Sequence, residues 1–359
     1  MSADRHLETS KPGASPSASA SSPPSVDRWR EWADAAGCGD RLELEADRSL
    51  AASTTLRIGG AAELYAGVHD VEALRWLASR CRELEIAVCT LGQGANVLVP
   101  DEGLAGVVQR LRGEFRRFEI DGDRVRAGAA VLVPQLAKQT VREGLLGLEP
   151  LGGFPASVGG AVTMNAGCYG TEISELIEEV VLLLPGGETL RQSASELEPG
   201  YRRTNVGRRG AVVIEATLRL RRGDAEHGAR RLAELNEKRW SSLPAGKPSA
   251  GSIFKNPPGD SAGRLIEAVG LKGRREGGAA ISDEHANVIV NLGGARAGDV
   301  LRLMIMARDA VLRSVGIRLQ PEIVLLGGLR EAWRAAEAEE TNGTESRRRE
   351  ERATGGACT

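Results

Sequence analysis

The chain has 359 residues, 41% of them hydrophobic, with only 4 Phe, 5 Trp and 3 Tyr. That length holds one large domain or two ordinary ones, and its cores must be built from aliphatic side chains. A formal net charge of −2 gives no reason to expect a nucleic acid or an anionic membrane as partner, although local basic groups can hold a phosphorylated small molecule.

Residues 1–26 are rich in Ser, Pro and Ala, bury too little to offset their ordering entropy, and read as disordered. The body spans 27–330. In it Asp70 caps a predicted helix from Val71 to Glu85, with Val71, Leu74, Leu77, Ala78 and Cys81 on one face. Strands are expected at 86–91, 106–111, 118–120 and 125–127, a helix at 133–143, and strands at 178–184 and 211–220. The first unit is expected to close at 222. A second unit over 223–330 opens with a charged helix from Asp224 to Arg239, supported by i,i+4 pairs. A helix at 262–269, a strand at 286–291, a helix at 297–315 and a strand at 319–326 follow. Residues 331–359 read as a charged, largely disordered tail, with a helical extension over 331–338.

Five cysteines (Cys38, Cys81, Cys89, Cys168, Cys358) are odd in number and lack CxxC spacing. This argues against a disulfide scaffold or zinc site and fits a reducing cytosol. The scattered His6, His69, His227 and His285 give no metal centre. There is no apolar run of about 18 residues that would make a membrane helix. The N-terminus also lacks the apolar stretch of a secretory signal.

Six strings bear on chemistry. Gly251-Ser252-Ile253-Phe254-Lys255-Asn256-Pro257 places a hydroxyl, a cation and a carboxamide in what reads as a tight, exposed segment. Gly92-Gln93-Gly94-Ala95-Asn96 follows a strand, and its glycines let backbone N–H groups approach a pyrophosphate. Its spacing is not that of a dinucleotide fingerprint, and taken alone a plain glycine turn is the favoured reading. The run from Gly152 to Gly167 is uncharged and small, fit for a large ligand lying against backbone, with a packed glycine turn as the lesser alternative. Cys168 beside it offers a reactive thiol, but with no cation or helix N-terminus evident nearby the favoured reading is a packed core cysteine. Tyr201-Arg202-Arg203-Thr204 offers an arginine for bidentate carboxylate contact, or a solvated basic loop. Glu322, between Pro321 and apolar Ile323 and Val324, is an acid partly shielded from water, or equally an outward-facing strand acid. Ser282 to Asn287 reads as a turn, with His285 facing a ligand or a local partner.

In order along the chain, these strings resemble the UDP-N-acetylenolpyruvoylglucosamine reductase family. Thr55 to Gly60, Leu91 to Asn96 with Asp101 and Gly103, Gly147 to Gly170, Tyr201-Arg202, Gly251 to Pro257, Leu271-Lys272-Gly273, His285-Ala286-Asn287 and Glu322 carry the likeness. The resemblance implies an α+β fold, a vanillyl-alcohol-oxidase (PCMH-type) FAD-binding domain followed by a smaller α+β substrate-binding domain. It implies a monomeric cytoplasmic enzyme that uses FAD and NADPH to reduce UDP-N-acetyl-3-O-(1-carboxyvinyl)-glucosamine to UDP-N-acetylmuramate, in peptidoglycan precursor synthesis. By the family pattern Ser252 supplies a proton while Arg202 and Glu322 stabilise the carboxylate charge. Cofactor contacts are implied at Arg57, Gly59, Gly92, Gly94, Ala95, Asn96, Gly153, Ser157, Gly159, Gly160, Asn165 and Ala166. Substrate contacts are implied at Lys255, Asn256 and His285. Only a short stretch separates Arg202 from the next strand. The chain thus resembles the branch without an inserted tyrosine lid, and neither Tyr169 nor Tyr201 takes that role. Another FAD oxidoreductase on the same fold, such as an alcohol oxidase, is the alternative enzyme. An inactive nucleotide-sugar or flavin binder is the alternative without catalysis.

Overall fold

The first sheet is organised around strand Ala61–Val68, most of which is buried. It pairs antiparallel with Leu42–Ser49 and parallel with Leu104–Leu111, whose other edge pairs parallel with Val88–Thr90. Parallel neighbours need a crossover, and helix Val71–Glu83 supplies it. Asp70 caps that helix, accepting the Ala73 N–H at 2.8 Å and satisfying one of its orphan donors. Leu74, Leu77 and Cys81 pack with Leu64, Ala66 and Val107, and Trp29 of helix Val26–Ala35 joins the same core. These coordinates are a computed structural model, which describes residues 23–339 apart from 242 and 245. The expected disorder at 1–22 and 340–359 lies outside the described residues.

A second, wholly antiparallel sheet runs in the order Thr189–Ser193, Ile177–Leu183, Val212–Arg219, Arg124–Gly128, Phe118–Asp121. Helices Val133–Arg142 and Val158–Thr163 share its aliphatic core. A third antiparallel sheet, Ser249–Ser252, Val288–Asn291, Ala279–Ile281 and Arg275–Glu276, packs with helices Ala262–Ala268 and Ala297–Val315.

One helix packs on a different unit than expected. Helix Ala225–Ser241, expected to open the second unit, packs instead on helix Val133–Arg142 and the Glu149–Leu151 turn of the first. Leu232 joins the core of the second sheet. Gly228 lets the helix close in, since a Cβ there would lie 2.5 Å from Leu146. The charge-rich sequence hid this face, because the helix buries only a narrow stripe. At the other end, the helical extension expected over 331–338 is present as a helix over 328–339. Trp333 anchors it, at 5% exposure, in the core of the third sheet.

Tertiary ties join the units. Leu56, Ile58 and Leu98 belong to the same core as Ile253, Phe254 and Met304. Asp101 caps helix Ala297–Val315, accepting from Ala297 N at 2.9 Å and Gly298 N at 3.2 Å. A carboxylate is favoured there by both the free N–H groups and the helix dipole. Asn291 donates to the Leu56 carbonyl at 3.1 Å. The expected strand at 319–326 shrinks to Val324–Leu325, paired parallel with Val97–Leu98 of the first unit. Its partner is only two residues long, which sets the limit. No helix among the described residues is long and apolar enough to cross a membrane.

Candidate active site

The loop Gly92–Asn96 leaves the Val88–Thr90 edge of the first sheet and runs into Val97–Leu98. None of the N–H groups from Gly92 to Asn96 has an acceptor among the described residues. The carbonyl side is the anchored one. Gly94 O accepts from Thr55 N at 3.1 Å and from the Thr55 hydroxyl at 3.4 Å. Gly94 has φ +62, and a Cβ on it would meet Ser53 O at 2.2 Å, so only glycine fits. Consecutive free N–H groups held this way form an anion-binding concavity. The Asn96 side chain does something else. Its Nδ2 donates to Glu322 O at 3.0 Å, while Asn96 O accepts Val324 N at 3.0 Å. The side-chain Nδ2 serves the acid strand, and the backbone N–H is left for a cofactor.

The neighbouring Thr54–Gly60 turn is closed by Thr54, whose hydroxyl donates to Ile58 O at 3.0 Å. It leaves Arg57 exposed, in a left-handed conformation. Gly59 has φ +142, and a Cβ there would lie 2.8 Å from Val99.

The run Gly152–Gly167 folds as a turn and a short helix, Val158–Thr163, capped by Ser157. From Val158 to Ala166 the N–H groups are spent internally, while those of Gly153, Phe154 and Ser157 have no acceptor among the described residues. Val158 donates to Val131 O at 2.9 Å, Gly159 to Ala129 O at 2.8 Å and Ala166 to Ala161 O at 2.8 Å. Gly160 donates to the Ser157 hydroxyl at 3.3 Å. Gly159 and Gly160 therefore do not offer amides; Gly160 leaves an exposed face without a side chain, while Gly159 lets the helix close on Ala129, 2.9 Å from where its Cβ would stand. Ser157 abuts the first loop, since a Cβ on Gly92 would lie 2.9 Å from its Oγ. Gly153 leaves room for helix Ala225–Ser241, with Arg239 Cδ 2.8 Å from where its Cβ would stand. Asn165 is fully buried and faces inward. Its Nδ2 donates to Glu172 at 2.7 Å and Gly200 O at 3.2 Å, and its Oδ1 accepts Ser174 N at 3.3 Å. Cys168 was expected to pack without a cation nearby, yet Arg239 Nη1 lies 3.9 Å from its sulfur. The two are 71 residues apart, so local sequence gave no sign of it.

Asn165 leads to the arginine. Gly200 and Arg203 exchange backbone hydrogen bonds at 3.0 Å, and Arg202 sits in that turn with φ 57. A left-handed arginine costs about 1–3 kcal/mol, and such strain gathers at functional sites. Arg202 Nε donates to Glu322 Oε1 at 2.7 Å, both side chains being mostly buried at 20% and 15% exposure. Its guanidinium lies 4.8 Å from the Tyr201 ring centre. Gly167 makes room for it, as a Cβ there would stand 3.2 Å from Arg202 Nη1. Of the two readings left open for each residue, the basic loop and the outward strand acid give way to an ion pair between units.

Ser252 is not in an exposed loop. It is half-buried and ends a strand, paired with Val288. The register slips between Ser249 and Ser252, and Gly251, at φ +71, supplies the left-handed residue of the bulge. Bulges re-aim side chains at sheet edges and beside sites. Beyond Ser252 the chain is gripped by Asn287. Ile253 N donates to Asn287 O at 2.9 Å. Phe254 N donates to Asn287 Oδ1 at 2.9 Å, and Asn287 Nδ2 returns to Phe254 O at 2.8 Å. On the other side Glu322 N donates to Ile253 O at 2.8 Å and Lys255 N to Gln320 O at 2.9 Å. Glu322 is thereby fixed one residue from Ser252 along a backbone ladder.

The expected substrate contacts differ in their freedom. Lys255 is half-buried beside this ladder. Asn256 Oδ1 accepts Ala262 N at 3.0 Å, which ties it to the start of helix Ala262–Ala268. His285 Nδ1 accepts Asn287 N at 3.1 Å, leaving Nε2 as its outward nitrogen. Burial, helped by Lys272, pulls the His285 pKa below its ordinary value. Sequence reasoning missed Asn287 as the clamp on the serine segment; the polar residue inside an apolar strand run was its signal.

Residues 62–193 match the family described as FAD binding domain, and residues 243–326 match the C-terminal domain of UDP-N-acetylenolpyruvoylglucosamine reductase. UDP-N-acetylenolpyruvoylglucosamine reductase 2 of Symbiobacterium thermophilum is 44% identical over 276 residues, covering 76% of this chain and 89% of that one. The reductase of Heliobacterium modesticaldum is 43% identical over 275 residues, covering 76% and 88%. The crystal structure of UDP-N-acetylenolpyruvylglucosamine reductase from Thermus caldophilus is 40% identical, with a TM-score of 0.69 over 80% of this chain and 99% of that chain. The fold is accordingly α+β, a PCMH-type flavin domain with a smaller second domain. At these identities and coverages, the chain belongs to the UDP-N-acetylenolpyruvoylglucosamine reductase family.

Proposed function

We propose that this chain reduces the enolpyruvyl ether of UDP-N-acetyl-3-O-(1-carboxyvinyl)-glucosamine to UDP-N-acetylmuramate, with Arg202, Ser252 and Glu322 acting on the substrate. Family membership carries the activity, its FAD and NADPH, and its place in peptidoglycan synthesis. The observation that carries the residue roles is their convergence: a backbone anion nest, a buried Arg–Glu pair and a half-buried serine meet where the two units join.

The cofactor fits the first unit. The free N–H groups of Gly92 to Asn96 suit a diphosphate, and the bare backbone at Gly92 and Gly160 gives a wall for the ring system, with Gly59 and Gly159 letting that wall pack closely on Val99 and Ala129. Arg57, exposed beside the nest, supplies a cation. Gly153, Asn165 and Ala166 support that wall from behind. When bound, FAD accepts hydride from NADPH and returns it to the substrate. The remaining work belongs to side chains. Hydride addition to the terminal carbon leaves its neighbour carbanion-like and conjugated with a carboxylate. Ser252 holds the proton that this carbon needs. Arg202, oriented by its turn and by Glu322, faces the charge that grows on the carboxylate. Preorganised groups of this kind are the largest catalytic term, and removing one donor typically costs about 10²–10³ in rate. Lys255 and the His285 Nε2 edge are assigned to the sugar nucleotide, with Asn256 shaping the loop beside them.

The same reading places the enzyme in the cytoplasm as a monomer without nucleic acid; elution of the purified chain as a larger species would revise it. The decisive test of function is anaerobic stopped-flow absorbance. The purified protein should bleach with NADPH and recolour when the enolpyruvyl nucleotide is added, with UDP-N-acetylmuramate as product. Bleaching followed by recolouring with oxygen alone would move the assignment to an oxidase on this fold.

A further inference from the structure

We propose that Trp333, on the helix 328–339, is a positioning residue for Ser252 and Glu322; the inference rests on the roles just given to those two. Phe254 stands at the centre of the ladder joining the two segments. Its backbone bridges Pro321, which precedes Glu322. On one side of it Ile253 O accepts both Glu322 N at 2.8 Å and Ile323 N at 3.3 Å; on the other Lys255 N donates to Gln320 O at 2.9 Å. The spacing of Ser252 and Glu322 therefore follows the seat of Phe254.

That seat is made by Trp333. The two ring centres are 6.2 Å apart in a tilted contact, with Phe254 at 1% and Trp333 at 5% exposure. Trp333 is itself fixed by Arg308, a wholly buried guanidinium 4.7 Å from its ring centre. Arg308 is held by Asp309 at 2.7 Å and donates to Ala336 O at 3.1 Å, which ties helix 328–339 to helix Ala297–Val315. A guanidinium stacked on an indole and bonded to the same helix leaves the ring little freedom. Behind the acid strand lies a groove of about 310 Å³ lined by Gln320, Pro321, Ile323 and Trp333. Removing the indole would let the Phe254–Pro321 bridge relax into that space and carry Glu322 with it. Residues 328–339 lie beyond the stretch 243–326 that matches the reductase C-terminal domain.

The test compares W333A, W333L and W333F holoenzymes with the parent. In W333A, bleaching by NADPH should stay within about two-fold, while recolouring by substrate slows about 10- to 100-fold, the cost of a small misplacement at a reacting centre. W333F should recover most of that rate, and W333L is read in place of W333A if the latter does not fold. Equal slowing of both half-reactions, or unchanged recolouring in a folded W333L, overturns the proposal. Hydrogen exchange gives a second readout that needs no substrate. The amides of Lys255, Glu322 and Ile323 should exchange at least about ten-fold faster in the variant, with the first sheet unchanged. Unchanged protection there also overturns it. A parent enzyme that never recolours would instead condemn the functional reading, and the exchange experiment would still decide the role of Trp333.

Discussion

The loop Gly92–Asn96 and the run Gly152–Gly167 look alike as sequence, yet their backbones work in opposite ways. In the loop the carbonyl of Gly94 is anchored and the N–H groups are free. In the run the N–H groups of Val158, Gly159, Gly160 and Ala166 are consumed within the protein, and what remains outward is the bare face of Gly160. Glycine density thus marks close approach of backbone to something, and does not tell whether the backbone donates or merely yields space. That choice is made by partners far along the chain, Thr55 for one and Ala129 and Val131 for the other.

Gly94→Ala should break the comparison most severely. Its Cβ would overlap Ser53 O at 2.2 Å in a left-handed conformation, which alone costs about 1–2 kcal/mol. The expected product is a folded or partly folded protein purified without yellow colour; normal flavin content would show that the nest is not the cofactor's seat. Gly160→Ala is the sharper case. It adds a methyl on an exposed helical position whose nearest neighbour is Ser157 Oγ at 3.4 Å, and alanine is favoured over glycine in a helix by up to about 1 kcal/mol. The melting temperature of the apoprotein should hold or rise while the FAD dissociation constant increases about ten-fold, or 1.4 kcal/mol. A gain in stability with unchanged affinity would remove this residue from the cofactor wall.

Asn96→Ala separates the backbone of the loop from its side chain. The N–H donors remain, while the bond to Glu322 O is lost. FAD affinity should change by less than about three-fold, and recolouring by substrate should slow about five- to ten-fold, the worth of one hydrogen bond. The reverse pattern would make Asn96 a flavin ligand through its carboxamide. The smallest effect concerns His285. Its pKa is lowered, mainly by burial, from 6.5, so on acidification the unfolded chain binds this proton first. The stability tied to neutral His285 is complete above pH 6.5 and declines as pH falls toward the lowered folded value. Between about pH 7.5 and pH 5.5 the urea midpoint of the parent should drop slightly more than that of H285Q. Parallel profiles would rule out this linkage.

Much of the site was legible because its chemistry is carried by rare local strings. Ser252 after Gly251, Arg202 after Tyr201, and Glu322 after Pro321 each stood out before any geometry, and the ion pair then joined two of them. What could not be read was every assignment that depends on a distant partner. Asp101 caps a helix 196 residues away, and Asn165, Asn256 and Asn96 resemble ligand contacts until their side chains are seen to be occupied. The helix Ala225–Ser241 misled for a related reason: its narrow buried stripe does not say which unit it lies against. Trp333 lay in the expected helical extension, but the charged composition around it did not say that this helix docks on the third sheet's core.

The measurement closest to the central claim is the pair of half-reactions in S252A. The claim is that the first unit's backbone holds the cofactor while side chains at the junction serve the substrate. It predicts that S252A purifies yellow and bleaches with NADPH at nearly the parent rate. Recolouring by the enolpyruvyl nucleotide should be slower by about 10²–10³ or more. Equal losses in both halves, or recolouring at the parent rate, would contradict it.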